Sequence, residues 1–480
     1  MKTKKPAKKK IAAILSIAFA SLLFLPLSFL GVVTLMASNR SVQVEAKNIE
    51  NETGLVQQRG RALYDPNGDY LLLRGVNAGN LLVSEGWLSP FSIGESLDES
   101  GNVILDHDGL LTYPELPMEQ AREGFLKNPN LSDAQRKELL GIYRSSWFGP
   151  ADFALIKSMG LNMIRLPFYW RDILSQSQDG TFFRKEEGEA FAYLDSFLEG
   201  CKDSGLYCIL DLHGAPGGQN GYEHSGDMTK ADLWKEERYQ KATADLWAYV
   251  AGHYANSRPD LSPVIASYDI LNEPCSDYSN PGEGSDPDVC YPVFDQIYQA
   301  IRGEGDEHVI TIEAMWSYDR FRDPAHYGWR NIMHETHMYN WDHAKIPYWL
   351  YNDYHELRNW GHDYAVPFYM GEFTFFEDEA AWKEQLALYE RRGYSWSFWN
   401  YKASVTGWWT TSWSVVTQKL DLRGGKRKAN LATDTYEELR QAFLATSTEH
   451  CQKSNTYRFV SEFIQGAREP KKANLFGQSD

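Results

Sequence analysis

Eight short apolar stretches, near residues 71–77, 163–168, 207–213, 265–272, 309–313, 332–339, 368–372 and 395–401, recur along the chain. Near-continuous apolar strands are what a parallel sheet requires, because each strand is buried on both faces. Between several of them, at 151–159, 187–202, 231–254 and 380–391, apolar residues fall at helical spacing. Eight strands alternating with helices fit a closed (β/α)8 TIM barrel of the α/β class, whose site lies where the strands end. A doubly wound open sheet is the alternative, but no Gly-x-Gly-x-x-Gly turn follows the first strand.

Two insertions, 85–148 after the first strand and 403–433 after the last, are too long for simple turns and are expected to wall the cleft. The division read from sequence is a basic cytoplasmic stub at 1–10, a membrane segment at 11–36 and a linker at 37–60. A catalytic domain follows at 61–446, with a C-terminal tail at 447–480. Six lysines in the first ten residues precede 26 uncharged, mostly apolar ones. That run is longer than the ~7–15 residues of a signal-peptide core and long enough for the ~20 of a spanning helix, which favours an uncleaved anchor. Cleavage near Ala37 would instead give a secreted chain. In both cases the residues after about 38 are expected on the extracytoplasmic side.

Removing those six lysines leaves 42 basic against 65 acidic residues, a net charge near −23 for the exported part. Such a body repels phosphates and argues against a nucleic-acid partner. Aromatic residues make up 14% of the chain, with 16 Trp and 28 Tyr, more than ordinary core needs and suited to flat faces on which sugar rings stack. Five cysteines, Cys201, Cys208, Cys275, Cys290 and Cys451, are too few and scattered for a disulfide framework or a zinc site. A single bridge between Cys275 and Cys290, which flank a polar Gly/Pro-rich loop, is consistent with export; free or buried thiols are the alternative.

Two of the strands end in carboxylates: Tyr268-Asp-Ile-Leu-Asn-Glu-Pro274 delivers Glu273, and Phe368-Tyr-Met-Gly-Glu-Phe373 delivers Glu372. Side chains alternate along a strand, so parity pairs Asp211 with His213, His337 with Tyr339, Met370 with Glu372, and Ser397 with Trp399 and Tyr401. The same rule puts His334 and His337 on opposite faces, which argues against a metallohydrolase; the His-Glu-x-x-His pattern is also absent. A cleft with paired carboxylates and stacking aromatics suits glycoside hydrolysis, with one group as acid and the other as nucleophile.

The sequence around these residues resembles glycoside hydrolase family 5, over roughly residues 65–445. The motifs that carry the resemblance are Asn272-Glu-Pro274, Gly371-Glu-Phe373, Arg74-Gly-Val-Asn77, Ile164-Arg-Leu-Pro167, His337-Met-Tyr339 and Phe398-Trp-Asn-Tyr-Lys402. Asp211-Leu-His-Gly-Ala-Pro-Gly217 is most similar to the exo-β-1,3-glucanase branch. The resemblance implies Glu273 as acid/base, Glu372 as nucleophile, Asn272 on the sugar 2-hydroxyl and Arg165 beside Glu372. It further implies His213, His337 and Tyr339 around the reacting sugar and Trp399 as its platform. Glu85, in Ser-Glu-Gly-Trp where relatives carry Leu-Glu-Pro-Trp, would contact substrate. Tyr222, in Gly-Tyr-Glu-His-Ser-Gly where relatives carry Gly-Phe-Asp-Asn-Ser-Gly, would form one side of an aromatic clamp, with Trp341 on the other at a one-residue slip. Together these imply a membrane-tethered retaining β-glycosidase acting on a β-linked oligo- or polysaccharide, with no metal or organic cofactor. The competing readings are a catalytically inactive carbohydrate-binding relative, an endo-acting β-1,4- or β-1,6-glucanase, and an unrelated metal-dependent esterase on a barrel.

Overall fold

The computed structural model describes residues 49–468, apart from 107, 108, 229, 278–283, 285, 315–319, 349, 352–363, 406–412 and 421–426. The expected membrane segment at 11–36 lies outside the described residues. Among those described, no helix is long and apolar enough to cross a membrane.

Eight parallel strands close into a barrel in sequential order. They are β1 Arg74–Asn77, β2 Met163–Tyr169, β3 Tyr207–Gly214, β4 Ile265–Asp269, β5 Ile310–Glu313, β6 Ile332–Met338, β7 Phe368–Phe373 and β8 Ser395–Phe398. Each coincides with one of the eight apolar stretches. The first starts three residues later than expected, and the fourth and eighth each end three residues earlier. The helices of eight or more residues among those described are α1 Met118–Lys127, α2 Asp133–Trp147, α3 Pro150–Ser158, α4 Ala192–Ser204, α5 Glu237–Gly252, α6 Pro287–Gly303, α7 Glu379–Arg392, α8 Tyr436–Leu444 and α9 Asn455–Arg468. Their apolar stripes pack on the outer faces of the strands, where Ile164, Leu166, Leu210, Leu212 and Met370 join Leu198, Leu246, Ile297 and Leu386 in one core.

Inside the barrel the layers change character from bottom to top. Met163, Ile209, Val309, Met333 and Tyr369 fill the lower end together with Val56, Leu63, Leu71 and Leu73. Leu63 and Leu71 belong to a small antiparallel sheet, Gln57–Arg59, Ala62–Tyr64 and Tyr70–Leu71, that plugs the barrel floor, and Val56 and Leu73 flank it. The stretch read as a linker to residue 60 therefore ends inside the fold: Val56 is fully buried because the barrel's first inward layer needs an apolar lid. The stretch read as a C-terminal tail carries α9, whose Phe459, Val460 and Ile464 are buried in the outer core.

Both insertions reach the mouth and meet there. The first contains α1 and α2; Ser132 opens α2 with a reciprocal capping box to Gln135. The second pairs Lys402–Val405 with Val416–Lys419. Ser404 N–H donates to Leu88 O at 2.9 Å and Lys428 Nζ to Gly86 O at 2.7 Å, so the two walls are tied.

Candidate active site

Above the apolar floor, the next inward positions are charged. Arg165 on β2 is fully buried, and its guanidinium reaches Asp269 Oδ2 at 2.6 Å, Asp211 Oδ2 at 3.1 Å and Glu372 Oε1 at 2.9 Å, with Glu335 Oε1 at 3.6 Å. These groups meet because β3 and β4 hold Asp211 opposite Asp269, and β5 and β6 hold Glu313 opposite Glu335. Burial by itself would lower Arg165, but Asp211, Asp269, Glu335 and Glu372 raise it well above the ordinary guanidinium range. Burial pushes Asp269 up to about 6 and Glu335 to about 7, and holds Asp211 well above the usual carboxylate range. One cation thus serves several carboxyls, of which some carry protons near neutral pH.

Glu372 reaches the mouth through a bulge. β6 and β7 pair Thr336 with Met370 and then His337 with Glu372, which leaves Gly371 as the extra residue. Tyr369 points into the barrel floor and Met370 into the outer core. Strict alternation would therefore turn Glu372 outward with Met370, so the expected shared face of those two residues does not hold. The bulge turns Glu372 inward instead. Glycine leaves room there for a neighbour: a Cβ at this position would lie 1.5 Å from Glu335 Oε1, so that side chain would have to move. Glu372 Oε2 then accepts from Tyr339 Oη at 2.8 Å.

Glu273 stands just past β4 with φ of 44°, a left-handed backbone that costs a non-glycine residue about 1–2 kcal/mol. Three contacts hold the turn: Gln219 Nε2 donates to Asn272 O at 2.9 Å, Asn220 Nδ2 to Glu273 O at 3.0 Å, and Glu273 N–H to Glu313 Oε2. Its carboxylate lies between two histidines, with Oε1 2.8 Å from His337 Nδ1 and Oε2 2.8 Å from His224 Nε2. Burial raises a carboxyl, but His224 and His337 hold Glu273 well below its ordinary range. Burial lowers His337, yet Glu313, Glu372, Glu273 and Glu335 raise it well above that of a free imidazole. Asn272 Oδ1 accepts from Arg165 at 2.9 Å, whereas its buried Nδ2 has no hydrogen-bond partner.

The remaining expected residues gather round this pair. His213 Nδ1 lies 2.7 Å from Asp211 Oδ2, and its ring stacks on Trp399 with centroids 5.5 Å apart. Burial lowers His213 well below the usual imidazole value and keeps it neutral. Glu85 Oε2 accepts from Trp87 Nε1 at 2.7 Å, and burial pushes its carboxyl up to about 8. Tyr222 stacks on His224 at 5.6 Å. Trp341, 62% exposed, stacks on Tyr339 at 5.7 Å and packs beside Trp413 and Phe376. Tyr401 does not join Ser397 and Trp399: it packs on Phe148 and donates to Asp152 at 2.7 Å in the outer layer. His334 lies on the outer face against Phe321, opposite to His337.

Cys275 and Cys290 are free buried thiols. Cys275 Sγ donates to Asp277 O at 3.6 Å, so the bridge considered from sequence is not formed. Glu273, Glu313 and His337 offer three ligand atoms within 4.8 Å of one another, the one such cluster among the described residues. Glu273 Oε1 is held by His337 and Glu313 Oε2 by the Glu273 N–H, whereas the buried Glu313 Oε1 has no hydrogen-bond partner and lies 3.6 Å from His337 Nδ1. Sequence reasoning missed His224, Glu335 and Trp413. Parity with His337 on β6 points to Glu335. His224 stands where the relatives' motif has Asn.

A family model described as cellulase (glycosyl hydrolase family 5) matches residues 132–405. The chain belongs to glycosyl hydrolase family 5. Among curated members and relatives, a β-xylosidase of Phanerodontia chrysosporium is 31% identical over 289 residues, covering 53% of this chain and 56% of that protein. A glucan 1,3-β-glucosidase of Candida oleophila is 27% identical over 323 residues, 65% of either chain. The family 5 chain thus spans less than two thirds of the length of these relatives. The rutinosidase of Aspergillus niger superposes with a TM-score of 0.53 at 16% identity, covering 78% of this chain and 98% of that one, and shares the fold.

Proposed function

We propose that this protein is a retaining β-glycosidase that hydrolyses β-glucan or a related β-glucoside by double displacement. The observation that carries the reading is the shared histidine. His337 Nδ1 lies 2.8 Å from Glu273 Oε1 and 3.6 Å from Glu372 Oε2, so those oxygens are no further apart than the sum of the two distances. A nearest-oxygen approach under that ceiling is compatible with the ~5–5.5 Å carboxyl separation of retaining enzymes. The glucan 1,3-β-glucosidase and β-xylosidase relatives support the same class.

In this reading Glu372 attacks the anomeric carbon. Arg165 and Tyr339 hold it aimed, because both donate to its oxygens. Glu273 delivers a proton to the glycosidic oxygen as the C1–O bond breaks, then takes one from the water that attacks the glycosyl ester. The unpartnered Asn272 Nδ2 meets the sugar 2-hydroxyl, and Trp399, braced by His213, forms the platform beneath the ring. Glu85 with Trp87, and Tyr222 and Trp341 at the rim, contact the substrate further out. The segment at 11–36 tethers the enzyme with its barrel on the extracytoplasmic side.

A panel of β-1,3-, β-1,6- and β-1,4-glucans and aryl glucosides tests the class. On the best substrate, Glu372→Gly is expected to lose at least about 10³-fold in kcat, and Glu273→Gln about 10²–10⁴-fold. Azide should restore turnover to Glu372→Gly and yield the α-glycosyl azide. Near-wild-type turnover in either variant, or that product from Glu273→Gly instead, would reject the roles assigned.

A further inference from the structure

The two histidines that hold Glu273 are unlike. His337 is enclosed by Glu273, Glu313, Glu335 and Glu372, which fix it as a cation. His224 lies on the short turn Glu223–Ser225 with its side chain 24% exposed, its ring stacked on Tyr222 and edge-on to His213 at 6.1 Å. Its Nε2 has a second neighbour, Asn220 Nδ2, at 2.9 Å. The orientation of that amide is fixed, because Asn220 Oδ1 accepts from Tyr222 N–H at 2.9 Å and Nδ2 donates to Glu273 O at 3.0 Å. A donor therefore faces Nε2 from one side and a carboxylate from the other. The carboxylate calls for a proton on Nε2, whereas the amide calls for a lone pair. Both arrangements are built into the site: with the proton on Glu273 Oε2, the Nε2 lone pair accepts from the amide.

We propose that His224 and Glu273 work as one proton reservoir, sharing a single proton between Nε2 and Oε2 that reaches the leaving oxygen through Glu273. The inference rests on Glu273 being the proton donor. In the free enzyme the proton is on Nε2. As a glycosidic oxygen arrives, the Nε2–H bond breaks and an Oε2–H bond forms; Asn220 then stabilises the neutral imidazole. Glu273 gives the proton to the departing oxygen, recovers one from the attacking water, and returns it to Nε2, so no net proton is consumed. The acid groups facing His224 are Glu273 beyond β4, Glu85 beyond β1, Glu372 on β7 and its neighbour Glu223. Burial lowers His224, but Glu273, Glu85 and Glu372 raise it to about 9. The reservoir therefore empties far above the range of an isolated carboxyl. His224 is a positioning residue, acting only through Glu273.

The test is the pH profile of kcat/KM on aryl β-glucosides for wild type and His224→Asn, which keeps an amide near Oε2 but cannot hold the proton. The alkaline limb is expected to move at least one unit toward acid while the acid limb stays in place. The shift should disappear with a dinitrophenyl leaving group, which needs no proton. A merely structural histidine would lower kcat/KM equally at every pH, and an unmoved alkaline limb would overturn the proposal. A second arm needs no turnover and no altered His224: imidazole ¹⁵N spectra of the wild-type enzyme and Glu273→Gln across pH. His224 should titrate more than one unit lower in Glu273→Gln, and identical titrations would overturn the sharing. If wild type hydrolyses no β-glycoside, the proposed activity fails while this second arm still decides the proton.

Discussion

Arg165 shows how much one side chain is asked to do here. It is fully buried and is the cation for Asp211, Asp269, Glu335 and Glu372 together. Its removal leaves several carboxyls without compensation, so Arg165→Met is expected to cost at least about 3–5 kcal/mol, seen as a lower urea midpoint at unchanged slope. Glu85 behaves in the opposite sense. Its carboxyl is raised by burial to about 8, above its unfolded value, so its contribution to stability is complete below about 4.5 and is lost as pH rises through about 8. Glu85→Gln cannot ionise. Its stability relative to wild type should therefore grow between those two pH values, by up to a few kcal/mol, in thermal melts taken across that range. At this scale the sequence was largely readable. Parity along β3 and β6 pairs Asp211 with His213 and His337 with Tyr339, the strand ends deliver Glu273 and Glu372, and the family resemblance supplies Arg165. His224 was not readable in the same way, because a short turn has no period to say which way a side chain faces.

The elements matter most where they are irregular. The bulge at Gly371 reverses the alternation of β7 at the position that carries Glu372, and a period-two reading cannot see it because Met370 and Glu372 look equivalent. Glu335 on the neighbouring strand fills the volume that a Cβ at Gly371 would need. Gly371→Ala should lose activity and at least about 1–3 kcal/mol of stability. Because the obstruction is volume and not charge, Glu335→Ala should recover more of the melting temperature in a Gly371→Ala background than Glu335→Gln does. An equal recovery by both would reject the steric account. The helices inside the first insertion were likewise hidden within a stretch expected only to wall the cleft. Ser132 and Gln135 already spell the start of α2, but its apolar face is completed by α8, some three hundred residues away.

On the scale of the whole molecule, the barrel is closed at one end by the sheet built from residues 57–71 and walled at the other by the two insertions. The apolar periodicity announces eight strands but not what stoppers them, since a few apolar residues in a polar stretch resemble a linker until the barrel floor is there to receive them. Truncation to residue 49 should retain cooperative unfolding. Truncation to residue 66 removes Val56 and Leu63 from the floor and should expose the lower layer, read as dye binding and a broadened melt. The same stopper fixes where the rest of the chain attaches. Ile49 N–H pairs with Gly68 O on this sheet, so whatever precedes it joins the molecule at the pole opposite the opening. A bead, a filament or a cell surface coupled through that end would hold the molecule like a cup by its base, with the rim turned outward.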